Sequence, residues 1–376
     1  MAGGFAQNQS ARHGMGFQTR LAGLLELPER EYSQLIAEIE ADPLFIKLKY
    51  AENRLDRAIR SRRLQQTDLS RRFMELKEDL AVSSGDEGGA EVEKLLAGKD
   101  KIVDVIRKLG EDDFKRYFIY NDEELSLSEI ADNCELKPAE VKEILSLINT
   151  VDVYSEFFTP STVTPGTGNY NYKIATLART GKGIAIQFNS AHWARGLYEV
   201  DHDKIEKMMQ KGRITKEDGK RLKKLLEKIE FVNLRKSLLH NIISKMIEKQ
   251  SKYFRCKQES GLVPFMQVEL ARELKVHPSI ISRATSGRSI ETPWGEEKPL
   301  KAFFVAAGPK QREEILRHIR NILREEKYEL QKGSIKKPSG DKEIAAILLS
   351  KYGVSISQRT VAKYRNSMKI SGAFHR

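Results

Sequence analysis

The chain has 376 residues, 40% of them hydrophobic and 31% charged, enough for two to four modest domains with much solvated surface. Its 65 Lys and Arg against 53 Asp and Glu leave a net charge of +12, a field whose natural partner is a polyanion, nucleic acid first. Two distant cysteines, Cys134 and Cys256, form neither a metal-site spacing nor a disulfide framework, and no apolar run nears the roughly 20 residues that span a bilayer, so a cytoplasmic chain away from membranes is expected.

The first 20 residues have no core pattern and no apolar stretch of signal-peptide length, and they are expected to be mobile. LAGLLELPEREYSQLIAEIEADPLF (21–45) predicts two short helices, the second started by Pro28 and ended at Asp42-Pro43. Residues 50–108 are strongly charged and broken by SSGDEGGA (83–90), the composition of a linker. LSLSEIADNCELKPAEVKEILSLINTV (125–151) predicts a helix around Ser128–Asn133 and another entered through Pro138. The clear β pattern is TPGTGNYNYKIATLARTGKGIAIQFN (164–189), alternating on either side of a turn at 180–183. Helical periodicity then runs over 204–253 with a break near Gly212. Two helix-turn-helix patterns follow, at 265–286 and 341–368, with a helix over 311–326 between them. The fold class expected is mainly α: linked small helical modules with two C-terminal helix-turn-helix units and a small β segment in the middle.

A recognition helix needs one side to pack on its scaffold and another carrying short polar and cationic groups for bases and phosphates. In FMQVELARELKVHPSIISRATSG, Leu270, Ala271 and Leu274 are inward and Val276 closes the turn. Pro278 starts a second helix whose inner side is Ile280, Ile281 and Ala284. Ser279, Ser282, Arg283 and Ser286 share the opposite side. In DKEIAAILLSKYGVSISQRTVAKYRNSMK, Gly353 ends the first helix and Ser357 caps the second. Val361, Tyr364 and Met368 face inward there. Arg359, Ala362, Lys363 and Asn366 face outward, with Gln358 and Arg365 at the edges. Arg359 is placed to grip a guanine, and Lys363 and Arg365 to hold phosphates.

SQRTVAKYR, Ser357 to Arg365, closely resembles the RpoN box of sigma-N (sigma-54 class) RNA polymerase factors; Ser357 and Gln358 are its two departures from the family string. HPSIISRATSGRSIETPWG with the later LKAFF, the helix LLHNIISKMIEKQSKYF and the segment GIAIQFNSAHWARGLYEVD resemble further parts of that family. The resemblance implies an activator-responsive region over 1–49, a charged linker over 50–113 and a core polymerase-binding region over 114–253. It places a helix-turn-helix domain at 254–310 and the box domain at 311–376. It implies partners: core RNA polymerase, promoter double-stranded DNA with GG (−24) and GC (−12) elements, and an AAA+ transcription activator that drives melting. Arg359 would read GG, supported by Thr360, Lys363 and Arg365, while Arg283 with Ser279 and Ser282 would read GC. Lys275 stands where the family has a turn glycine.

No cofactor or metal is expected, and no enzyme activity. TGKGIA and GTGNY lack the phosphate-loop spacing and read as turns. His192-Trp193 reads as a packing pair, with no second ligand at helical spacing. A tyrosine recombinase would need a His-x-x-Arg element beside Tyr364, which neither His240 nor His318 provides. A repressor or nucleoid protein that never touches polymerase is the alternative of the same DNA-binding class.

Overall fold

Proline and aspartate set the first two long helices. α1 (Glu29–Ala41) begins directly after Pro28. α2 (Pro43–Lys49) is capped by Asp42, whose carboxylate accepts from the Leu44 amide at 2.8 Å. Asp42-Pro43 therefore ends one helix, as expected, and also starts the next. The computed structural model describes residues 23–70, 99–155, 160–163, 171–181, 183–306, 309–335 and 337–373. The expected mobile N-terminus, the SSGDEGGA break and the GTGNY turn lie outside the described residues.

The stretch expected as a charged linker instead supplies two strands, β1 (Ile59–Arg62) and β2 (Thr67–Leu69). α3 (Asp100–Phe114), α4 (Leu127–Asn133) and α5 (Pro138–Val153) follow. Ser126 caps α4 reciprocally: its hydroxyl accepts from the Glu129 amide at 3.1 Å, and the Glu129 carboxylate accepts from the Ser126 amide at 2.7 Å. Ile130, Val141, Ile144 and Ile148 are buried together with Phe118.

The predicted hairpin is present as β3 (Tyr172–Thr180) and β4 (Gly183–Phe188), with Thr180 opposite Gly183. After α6 (Ala191–Ala194), β5 (Leu197–Val200) pairs antiparallel with β1. α7 (His202–Gln210), α8 (Lys216–Lys249) and α9 (Ser251–Cys256) occupy the predicted helical stretch and its break. α10 (Gln267–Glu273) and α11 (Pro278–Thr285) are the first helix-turn-helix. β6 (Arg288–Glu291) and β7 (Glu297–Pro299) complete a five-stranded sheet in the order β2-β4-β3-β6-β7. β2 runs parallel to β4, and β6 parallel to β3. These short strands carry too few residues to show a period of two; only pairing with the distant hairpin defines them.

The chain divides into two compact units, one of residues 1–262 with 266–304 and one of 263–265 with 305–376. The first unit holds α1 to α11 and β1 to β7. Buried ion pairs tie its distant parts together: Glu29 with Arg235 and Arg288, and Glu40 with Arg195 at 2.6 Å. The second unit is α12 (Pro309–Gln331), α13 (Asp341–Tyr352) and α14 (Gln358–Ser367), packed around Ile315, Ile319, Ile322, Ile344, Leu348 and Val361.

Candidate nucleic-acid interface

The first helix-turn-helix is closed by its backbone. The Leu274 amide donates to the Leu270 carbonyl at 2.9 Å and the Val276 amide to the Ala271 carbonyl at 2.9 Å. Lys275 between them is left-handed, with φ 55°. His277 caps α11 through Nδ1, which accepts from the Ser279 amide at 3.2 Å and lies 2.8 Å from the Ser279 hydroxyl. Ile280, Ile281 and Ala284 are buried, as are Leu270 and Ala271. Leu274, expected inward, is half-buried.

Ser279, Ser282, Arg283 and Ser286 lie on the accessible side of α11, the first three half-buried and Ser286 exposed. Three of them already have partners. Ser279 meets His277, and the Ser286 hydroxyl accepts from Lys301 Nζ at 3.2 Å. Arg283 Nε lies 2.7 Å from the Glu26 carboxylate, from the segment just before α1. No local signal in the sequence singles out Glu26.

The same segment is fastened under α11 by two arginines. Arg288 Nε bonds the Glu29 carboxylate at 2.9 Å, and its other nitrogens donate to the carbonyls of Ala284 and Leu25, each at 3.0 Å. Arg235, wholly buried, pairs with the same Glu29 carboxylate, donates to the Leu24 carbonyl at 2.7 Å and lies 3.8 Å over the Tyr32 ring. Burial disfavours the Glu29 carboxylate, but the charges of Arg235 and Arg288 outweigh it and hold its pKa down at about 2.

In the second unit Gly353 takes φ 66° and ends α13, its amide donating to the Leu349 carbonyl at 3.0 Å. Ser357 caps α14, accepting from the Thr360 amide at 3.2 Å. Val361 is buried and Tyr364 and Met368 pack partly against the core, as the sequence predicts. Gln358, Arg359, Lys363 and Asn366 are exposed, while Thr360 and Ala362 are half-buried beside them. Arg365 is a correction. Its edge position on the helix turns out to be buried, 7% exposed, with Nε 2.9 Å and Nη2 3.1 Å from the two oxygens of Asp341. This fork joins α14 to the first turn of α13, so the guanidinium expected on a phosphate is committed inside the fold.

A related turn occurs in α4–α5. Glu135 has φ 55°, and the Leu136 amide donates to the Ala131 carbonyl at 2.8 Å, the geometry of Lys275 and Val276. The sequences agree there too, EIADNCELKP (129–138) beside ELARELKVHP (269–278). Where α11 offers Ser279, Ser282, Arg283 and Ser286, α5 offers Ala139, Lys142, Glu143 and Ser146, with Glu140 adjacent. That face has no cationic excess for a polyanion.

His192 and Trp193 are a packing pair: both are buried, with ring centroids 5.9 Å apart. His192 Nδ1 lies 3.2 Å from Asp152, which also accepts the Ala191 and His192 amides at 2.7 Å, and burial lowers the histidine pKa. Among the described residues no group of three His, Cys, Asp or Glu is placed to hold a metal, and no helix is long and apolar enough to cross a membrane.

A family model described as "Sigma-54, DNA binding domain" matches residues 214–376. The RNA polymerase sigma-54 factor of Bacillus subtilis is 33% identical over 142 residues, 36% of this chain and 30% of that protein. That of Acinetobacter guillouiae is 29% identical over 154 residues, 39% of this chain and 30% of that protein. The matches thus span about 30% of the length of these curated relatives. Among solved structures, Aquifex aeolicus sigmaN bound to promoter DNA is 17% identical, covering 81% of this chain and 99% of that one with a TM-score of 0.29.

Proposed function

We propose, for a chain whose residues 214–376 match the DNA-binding domain of sigma-54 factors, the role of a transcription initiation factor that takes core RNA polymerase to promoters with GG and GC elements. An AAA+ activator, spending its own ATP, then drives melting; this chain is not an enzyme and needs no cofactor. It works in the cytosol, on the bacterial nucleoid. The observation that carries the reading is a second helix-turn-helix within the matched stretch whose exposed side, Gln358, Arg359, Lys363 and Asn366, holds two cations and no acid.

Arg359 grips a guanine of GG through N7 and O6. Lys363 holds the adjacent phosphate, and Gln358, Thr360, Ala362 and Asn366 line the contact. Arg365 serves by fixing the pitch of α14 against α13. Arg283, flanked by Ser279, Ser282 and Ser286, reads GC. Two modules on one chain raise each other's effective concentration, so neither has to bind tightly alone.

A promoter-duplex shift with and without core polymerase, titrated in salt, tests this reading. The factor alone should prefer GG-bearing duplex, and polymerase should join the complex. A GG preference with no polymerase recruited would favour a repressor, and binding with no sequence preference would sink both and leave a nucleoid protein.

A further inference from the structure

In the second unit, α12 separates its charges by side. Its inner face is Ile315, Ile319 and Ile322, all buried in the core shared with Ile344 and Val361. At 100° per residue, Arg317, Arg320, Arg324 and Lys327 fall in an arc of about 80° on the opposite side. All four are exposed. From Arg317 onward, the acids of the helix lie off this arc. Glu325 pairs with Lys351 of α13 at 2.7 Å, and buried Glu326 accepts from the Ser339 amide at 2.7 Å. Arg317 has a loose, exposed contact with Glu314 at 3.8 Å, and Arg320, Arg324 and Lys327 have no ion pair among the described residues. Tyr328, 63% exposed, stands beside the stripe with Lys332 over its ring at 5.7 Å.

We propose that this stripe is a second DNA contact, taking the phosphate backbone of a duplex stretch other than the one α14 reads. A face kept only for solubility would intersperse both signs; here four cations stand in file from Arg317 to Lys327, and Glu313, one turn before them, is the acid on that side. Ten residues of helix rise about 15 Å. A strand winds about the duplex axis as it rises, so a straight file of that length meets about two or three of its phosphates. The Tyr328 hydroxyl can add a neutral donor. α12 and α14 turn their inner sides to the same core, so their outer sides face different ways, and the stripe takes a stretch of duplex beyond the one on α14. This rests on the reading of the second unit as DNA-binding.

The test uses the full chain with Arg320→Gln, Arg324→Gln and Lys327→Gln combined, on two GG-bearing duplexes, one of about 16 and one of about 50 base pairs. On the long duplex the slope of log affinity against log salt should flatten by about 2 to 3, since each neutralised phosphate contributes about 0.9. The short duplex should bind as it does to the unaltered chain, and thermal unfolding should not move. An unchanged slope on the long duplex overturns the proposal, pointing instead to an acidic protein or to solvated charge. Equal losses on both duplexes also overturn it, because the stripe would then share the stretch read by α14. Arg359→Ala, run alongside, keeps the two readings apart: loss of GG preference there tests α14, while the salt slope of the triple variant tests α12.

Discussion

The guanidinium of Arg283 lies 2.7 Å from the carboxylate of Glu26, so the cation expected on DNA is held by the segment that precedes α1. Both side chains are substantially exposed, 41% and 60%, and such a pair contributes only about 0.2–1 kcal/mol. It is strong enough to compete with a phosphate or base and too weak to matter for folding. Glu26→Gln should therefore raise affinity for a GC-bearing duplex by about two- to fivefold at low salt, with the gain fading as salt screens the pair. Equal affinities of the two proteins across a salt series would mean that Glu26 and DNA do not compete for Arg283.

Beneath that contact, Glu29 is the carboxylate facing both Arg235 and Arg288. Glu29→Gln leaves two buried guanidiniums without it and should destabilise the first unit by about 3–5 kcal/mol in denaturant unfolding. The pH dependence has a definite sign. Burial opposes ionisation of Glu29 and of Glu40, but Arg235 and Arg288 around the first, and Arg195 and Lys49 around the second, hold both carboxyls at about 2. A carboxyl held below its unfolded pKa stabilises the fold above that value and loses the contribution as pH falls. The first unit should weaken between about pH 4.5 and pH 2, and Glu29→Gln should flatten that acid limb. An unchanged acid profile in the variant would refute the assignment.

Lys275 sits at φ 55°, where a side chain costs about 1 kcal/mol relative to glycine. Lys275→Gly should stabilise the α10–α11 turn by up to about 1 kcal/mol, and Lys275→Val should destabilise it, because a branched β-carbon tolerates that region least. Thermal unfolding of both variants gives the answer; the reverse order would show that the lysine side chain itself holds the turn.

Gly196 is constrained by contact as well as by conformation. Its φ is +77°, and a β-carbon there would collide with the Arg62 carbonyl oxygen of β1. Gly196→Ala should cost about 3 kcal/mol or more by forcing β1 and β5 apart. A variant as stable as the parent would mean that the close approach of β1 to the turn before β5 is not required.

Arg359 and Arg365, six positions apart in one helix, should respond oppositely. Arg359→Ala should leave unfolding within about 0.5 kcal/mol and cost about 1–3 kcal/mol of discrimination at the GG element. Arg365→Ala should destabilise the second unit by about 3 kcal/mol, since Asp341 loses a two-point partner in a largely buried site. Arg365→Lys should not restore it, because an ammonium cannot reproduce the planar fork. Loss of GG preference in a fully stable Arg365→Ala protein would return that arginine to the DNA.

Local chemistry carried much of this molecule into its sequence. Pro28, Asp42-Pro43, Pro138, Pro278, Gly353 and Ser357 mark helix ends through backbone constraints and caps that involve a few neighbouring residues, and the helices stand where these residues put them. The same holds for the β3–β4 hairpin, whose alternation and turn are contiguous, and for the inward and outward sides of α11 and α14, fixed by a period of 3.6. The tertiary structure alone decided what depends on partners far away in the chain. β1 and β2 lie inside a run that reads as charged linker, because their hydrogen bonds are completed more than 100 residues later by β5 and β4. Arg365 and Arg359 have the same side-chain chemistry on the same helix, and the position of Asp341 on a neighbouring helix makes one a brace. Glu26 and Glu29 read as ordinary acids of an N-terminal helix; only folding brings Arg283, Arg235 and Arg288 against them, because Coulomb attraction depends on distance in space and burial, neither of which sequence separation measures.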